Sequence, residues 1–101
     1  VVIYLARVLS FLDALNLIIP LVPEENRDQH ILIYINAYYY NYYNLKKCKI
    51  ELVEVEKHKS NVDMYYLKIK KSKFLNNKQK IKIFVIHKLN FLYVLAKNIK
   101  R

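Results

Sequence analysis

Between Met64 and Lys88 the chain reads MYYLKIKKSKFLNNKQKIKIFVIHK, and the two alternating runs inside it restrict the fold more than any other stretch. In the first, Leu67 and Ile69 interleave with Lys68 and Lys70. In the second, Ile81, Ile83 and Val85 stand opposite Lys80 and Lys82. A period of two is the pattern of a half-buried strand. Asn tolerates left-handed backbone angles, so Asn76-Asn77 between two such runs predicts the turn of a β-hairpin. Toward its base the second run becomes apolar on both faces, because Phe84 and Ile86 join Val85, so this end enters a core while the tip projects. A projecting hairpin that carries Lys68, Lys70, Lys71, Lys73, Lys78, Lys80 and Lys82 suits contact with a polyanion. The same lysines also fit a solvated edge kept soluble by charge, and the pattern alone does not separate the two.

The distribution of charge sharpens that choice. The chain has 101 residues, enough for one modest core, and a formal net charge of +10. Residues 61–101 contain ten lysines and Arg101 against Asp63 alone, whereas residues 1–30 carry Arg7 and Arg27 against Asp13, Glu24, Glu25 and Asp28. The net charge therefore belongs to the last part of the chain. That asymmetry points to an anionic partner, either nucleic acid or acidic lipid. The abundance of Lys, Asn, Ile and Tyr beside an absence of Gly and Trp fits AT-rich coding, such as that of an organellar genome.

Residues 1–22 form the most hydrophobic stretch. Arg7, Ser10, Asp13 and Asn16 recur at every third position and predict a slanted polar stripe on an otherwise apolar helix. A membrane span fits poorly with Arg7, Asp13 and Pro20 inside it; a helix packed on the domain or on a partner protein fits better. The apolar start has neither a basic leader nor a small-residue cleavage site, so it does not read as a secretory signal. Pro20, Pro23 and the polar run Glu24–Gln29 predict a surface linker. His30–Ala37, HILIYINA, reads as a buried central strand. From Tyr38 onward, Tyr39, Tyr43, Lys46, Ile50 and Val53 fall on one helical face, while IELVEVE over Ile50–Glu56 alternates like a strand; a helix that gives way to strand near Cys48 accommodates both. Tyr38, Tyr39, Tyr40, Tyr42 and Tyr43 serve either as stacking platforms for bases or as core filling. Lys57–Asp63 predicts a turn, and Leu89–Ile99 a short helix with a basic end at Lys97, Lys100 and Arg101.

Catalytic chemistry has no visible constellation. Without Gly the chain holds no phosphate-binding loop or dinucleotide fingerprint, and Ser10, Ser60 and Ser72 lie in no nucleophile-elbow context. His30, His58 and His87 lack metal-ligand spacing, and the single Cys48 excludes an internal disulfide. Neither an enzyme nor a cofactor is expected.

The basic segment resembles the S-ten family, the tenth protein of the small ribosomal subunit, whose signature runs Arg-Ser-Pro-His-Val-x-Lys-Lys-Ser-Arg-Glu-Gln-Phe-Glu-x-Arg-x-His-Lys. Lys71-Ser72-Lys73-Phe74-Leu75-Asn76-Asn77-Lys78-Gln79-Lys80 matches it one residue short, and the match ends at Ile86-His87-Lys88. A weaker likeness runs over Ile31–Asn44, set against the family's first strand and helix opening. Lys73-Phe74 stands where the family has Pro-His, its Gly and Pro-Leu-Pro segment is missing, and residues 1–29 have no counterpart. The resemblance implies an α+β fold, a ferredoxin-like strand–helix–hairpin–helix domain over residues 30–101 with a long basic β-hairpin, preceded by an added N-terminal apolar helix and acidic linker over residues 1–29. It implies a structural constituent of a small ribosomal subunit, mitochondrial on the compositional argument, in contact with ribosomal RNA and neighbouring small-subunit proteins. His87 and Lys88 join the seven hairpin lysines as RNA contacts on this resemblance. The alternative expectation is a small accessory subunit of an organellar membrane complex, with residues 1–19 associated with the membrane and the basic half facing anionic lipid or an acidic partner.

Overall fold

A computed structural model describes residues 2–48 and 52–89, and every regular element among them is helical. Helix α1 spans Val2–Ile18 and tightens into a 3-10 turn at Ile19–Leu21; α2 spans Glu24–Lys47, α3 Val53–Glu56, α4 Lys59–Ile69 and α5 Asn77–Lys88. The described residues contain no strand. The expected α+β, ferredoxin-like domain with its β-hairpin is therefore corrected to a small helical domain.

Helix α2 is the axis. Its 24 residues run about 36 Å at the usual rise, close to the 39 Å longest dimension of the molecule. Helices α1, α4 and α5 all pack against it. Two adjoining rows on its surface are buried, one with Ile31, Ile35 and Tyr38 and the other with Leu32, Tyr39 and Tyr43. A helix covered over so wide an arc carries a nearly continuous apolar run, and periodicity alone does not tell such a run from a buried strand. This is why His30–Ala37 is helix and not the expected central strand. The acidic run expected to be a linker is the opening of the same helix. Pro23 precedes it, Glu24 and Glu25 stand in its first turn and Lys46 and Lys47 in its last, an order that complements the helix dipole at both ends. The expected division between residues 29 and 30 thus falls inside α2.

The hairpin is replaced by α4, a turn, and α5. On α4 the buried residues are Val62, Tyr65, Tyr66 and Ile69, spaced i, i+3, i+4, i+7. Successive helical residues are separated by about 100°, so Leu67 and Ile69 point apart: Ile69 is fully buried and Leu67 is 57% exposed. On α5, Ile83 is buried while Ile81 and Val85 face outward. Asn76 starts a helix instead of reversing a strand. Its side-chain oxygen accepts the Gln79 backbone N–H at 2.8 Å, and Gln79 Oε1 accepts the Asn76 N–H at 3.1 Å, which is a capping box. The strand expected after Cys48 is also absent from the described residues: Cys48 caps α2 and Val53–Glu56 is one helical turn. The helix expected at Leu89–Ile99 lies outside the described residues apart from Leu89, which follows α5.

Helix α1 presses Val8, Leu12 and Leu15 into the core along one stripe, which Ile19 of the 3-10 turn continues. Its polar stripe is partly engaged, since Asn16 Oδ1 accepts the Tyr65 hydroxyl at 3.2 Å and Asp13 Oδ1 lies 3.0 Å from His58 Nε2. The outward side exposes Ile3, Phe11, Leu17 and Ile18, followed by Leu21 in the 3-10 turn, and Arg7 and Ser10 stand exposed among them. Ile3–Leu21 is long and apolar enough to cross a membrane, and 22% of it is buried inside the domain.

The buried spacing on α4 gives a direct test. Ile69→Ala should lower stability by about 2–5 kcal/mol through the cavity it leaves, while Leu67→Ala should stay within about 0.5 kcal/mol. In a hairpin the two residues share a face and would lose similar amounts; urea midpoints at matched m-values decide.

Candidate nucleic-acid interface

The lysines sit where the helical phase of α4 and α5 leaves them. With Val62, Tyr65, Tyr66 and Ile69 inward, Lys68 lies on the exposed side of α4, and Lys70 and Lys71 close its C-terminal end. Ser72 and Leu75 are buried and pin the turn to the core. The Ser72 hydroxyl donates to the Asp28 carboxylate and accepts the Phe74 backbone N–H at 3.0 Å. Between these anchors Lys73 points outward. On α5, Lys78 and Lys82 stand one turn apart on the exposed surface, Lys80 is half-buried and Lys88 is exposed, its ammonium 5.4 Å from the Tyr66 ring centre.

The nine expected contacts are therefore divided. Lys68, Lys71 and Lys73 line one open cleft of about 590 Å³, bounded by the 3-10 turn, the first turns of α2 and the α4–α5 turn. Lys82 lies instead against two other grooves over α2, one of them bordered by Phe11, Ile33, Tyr40 and Ile86. Arg27, Tyr65 and Phe74 also line the cleft and were not anticipated. Arg27 sits in the stretch expected to be a linker. Its guanidinium donates to the Val22 carbonyl at 3.0 Å and the Pro20 carbonyl at 3.3 Å, so it ties the turn before α2 to the helix.

Carboxylate pairing is concentrated elsewhere. Lys57 pairs with Glu54 at 2.8 Å and Lys59 with Asp63 at 2.6 Å, while Asp13 and Asp63 approach His58 and His87. Among the described residues, none of Lys68, Lys70, Lys71, Lys73, Lys78, Lys80 and Lys82 has a carboxylate within 4.0 Å.

His87 is placed unlike the lysines. It is 8% exposed and stacked on Tyr66, with ring centres 4.2 Å apart. Its Nδ1 lies 2.9 Å from the Tyr39 hydroxyl and its Nε2 3.5 Å from Asp63 Oδ1. Both ring nitrogens are thus directed into the protein, where they join α2, α4 and α5, and not toward an external phosphate. The same order of groups recurs around His58, whose Nδ1 lies 2.5 Å from the Tyr34 hydroxyl and whose Nε2 faces Asp13. A carboxylate beside Nε2 favours the tautomer with the proton on that nitrogen, which leaves Nδ1 to accept from the phenol. Tyr34 has no exposed surface, so this relay is a structural latch. Sequence held no signal for either latch, because their partners lie 24 to 48 residues apart.

Burial sets the titration of these groups. His87 is held below its ordinary 6.5, chiefly by desolvation, with Asp63 pulling it up and Lys59 and Lys88 pushing it down. Desolvation lifts the Tyr34 phenol from 10.0 to about 12 and raises Tyr38 and Tyr39 as well. No family model, no curated protein and no solved structure matches this chain.

These shifts bracket a stability plateau. A depressed histidine contributes stability that is present above its unfolded value of 6.5 and lost as pH falls through the folded value. The raised phenols contribute stability that is present below their unfolded value of 10.0 and lost as pH rises beyond it. Denaturant titrations across pH should show a plateau between about 7 and 10, and His87→Gln should flatten the acid limb while leaving the alkaline limb in place.

Proposed function

We propose that the chain is an RNA-binding structural protein of a ribonucleoprotein, and that the exposed surface of α4, α5 and their connecting turn is its RNA-facing side. The observation that supports this reading is the set of seven lysines at positions 68–82 without carboxylate partners among the described residues. A protein that gathers cations in one segment and pairs its acids elsewhere keeps a field available to a polyanion. Such contacts hold and orient a backbone without reading its sequence.

The narrower assignment, to the small subunit of a mitochondrial ribosome, rests on the match of Lys71–Lys80 and His87-Lys88 to the S-ten signature. The fold which that resemblance implied is not the fold of the described residues, so the assignment is carried by residue pattern and composition. A second reading has its own observation: the outward apolar side of α1 favours an accessory subunit of an organellar membrane complex.

Sedimentation of the tagged protein from a detergent-solubilised organelle extract separates the two. The ribosomal assignment requires travel with small-subunit RNA and a shift to light fractions after nuclease treatment. A particle that resists nuclease and depends on detergent would establish the membrane reading instead. For the isolated chain on single-stranded RNA, six or more phosphate contacts should give a log–log salt slope of about −4 or steeper. Exchanging Lys68, Lys71 and Lys73 for Gln should make that slope shallower by about two, while Lys57→Gln, at a lysine already paired with Glu54, should leave it unchanged.

A further inference from the structure

The structure points to the cleft between the first turns of α2 and the α4–α5 turn as a site for one unpaired nucleotide of RNA, with its phosphate on the lysine wall and its base on Phe74. This inference rests on the RNA-binding reading and adds to it the place and the strandedness of the ligand. The cleft, about 590 Å³, falls in the size class of pockets that take small organic ligands. One wall carries Lys68, Lys71 and Lys73; the α2 wall carries Glu24 and Asp28 together with Arg27, whose guanidinium is taken up by the Pro20 and Val22 carbonyls. A phosphate is therefore drawn to the first wall and kept from the second.

Aromatic faces lie beside those charges. Lys73 Nζ is 5.4 Å from the centre of the half-buried Phe74 ring, and Lys68 Nζ is 5.8 Å from the Tyr65 ring. Lys73 lies over the Phe74 face, so a nucleotide engages the pair by drawing the ammonium to its phosphate and setting its base on the face thereby freed, the cation-and-aromatic combination by which proteins hold single strands. The turn is already ordered, because Ser72 bonds both Asp28 and the Phe74 N–H, Leu75 is buried and the Asn76 capping box starts α5 directly after it. Binding then orders little that was free beforehand. Bases in an A-form duplex hide their faces in the stack, so only a splayed base reaches a ring inside a concavity.

The test compares the full chain and its variants on an oligouridylate of about twelve nucleotides, within the usual range of single-strand site sizes, and on a blunt RNA duplex of equal length at one ionic strength. Phe74→Leu keeps the apolar volume and removes the π-face. It should weaken single-strand binding about five-fold or more and leave duplex binding as it was. An equal loss on both ligands, or no loss on either, overturns the nucleotide site while the RNA-binding reading stands. Absence of wild-type binding to both ligands overturns that reading together with the site. Far-UV circular dichroism shows whether Phe74→Leu keeps the helical fold. In the wild-type chain, photo-crosslinking with a thiouridine-containing oligomer should label Met64–Leu75, and labelling confined to other segments would sink the proposal independently of any variant.

Discussion

Putting tyrosine-rich α2 at the centre of the molecule imposes a requirement on everything around it. Its phenols bury a large apolar body, but each hydroxyl must find a partner once water is excluded. Tyr34 and Tyr39 find histidines, those histidines face carboxylates, and the carboxylates sit on other helices. The latches thereby fix where α1, α4 and α5 lie on the axis. Tyr4 and Tyr65 repeat the device more simply, with Asn41 on α2 and Asn16 on α1. Apolar burial supplies most of the driving force for such a core, while the hydroxyls select the arrangement in which no polar group is stranded.

The same arrangement explains why the basic segment remains available. Asp13 and Asp63 are drawn to His58 and His87, and Asp28 is occupied by Ser72. Carboxylates engaged in holding helices together are not placed to neutralise Lys68, Lys71 or Lys73. The carboxylates that join helices and the lysines without carboxylate partners are thus distinct sets, although both occur on α4. Ser72 links the two roles, since its bond to Asp28 fixes the turn from which Lys71 and Lys73 project.

The outward side of α1 is the remaining large surface feature. Single exposed apolar residues are ordinary, but Ile3, Phe11, Leu17 and Ile18 lie along α1 and Leu21 follows in the 3-10 turn, with Arg7 and Ser10 exposed among them. Within a ribonucleoprotein such a surface suits a neighbouring protein; beside a membrane it suits the interface. The basic turn and the apolar helix therefore pose separate questions about partners, and an answer for one does not supply the other.

By itself, the sequence determined the helical N-terminal stretch, the burial of Ile31, Leu32, Tyr34 and Ile35, though not the exposure of Ile33 among them, and the concentration of positive charge after residue 61. These follow from composition and local spacing, which tertiary structure cannot alter. It did not determine whether Leu67-Lys68-Ile69-Lys70 alternates across a strand or winds around a helix, because four residues satisfy either period and the decisive spacing begins at Val62. Asn76 was similarly open, since a residue that tolerates a turn also caps a helix; Gln79 three positions later was the local sign of the cap. The choice was made by α2. Against that helix a helical α4 buries Val62, Tyr65, Tyr66 and Ile69 on one stripe, whereas a strand would divide the same four between two faces. Only the tertiary structure could bring Tyr34 to His58 or Tyr39 to His87, because those contacts join segments whose separation along the chain leaves no periodic trace, and only it sets the neighbouring Lys73 and Phe74 at a cleft shared with the first turns of α2.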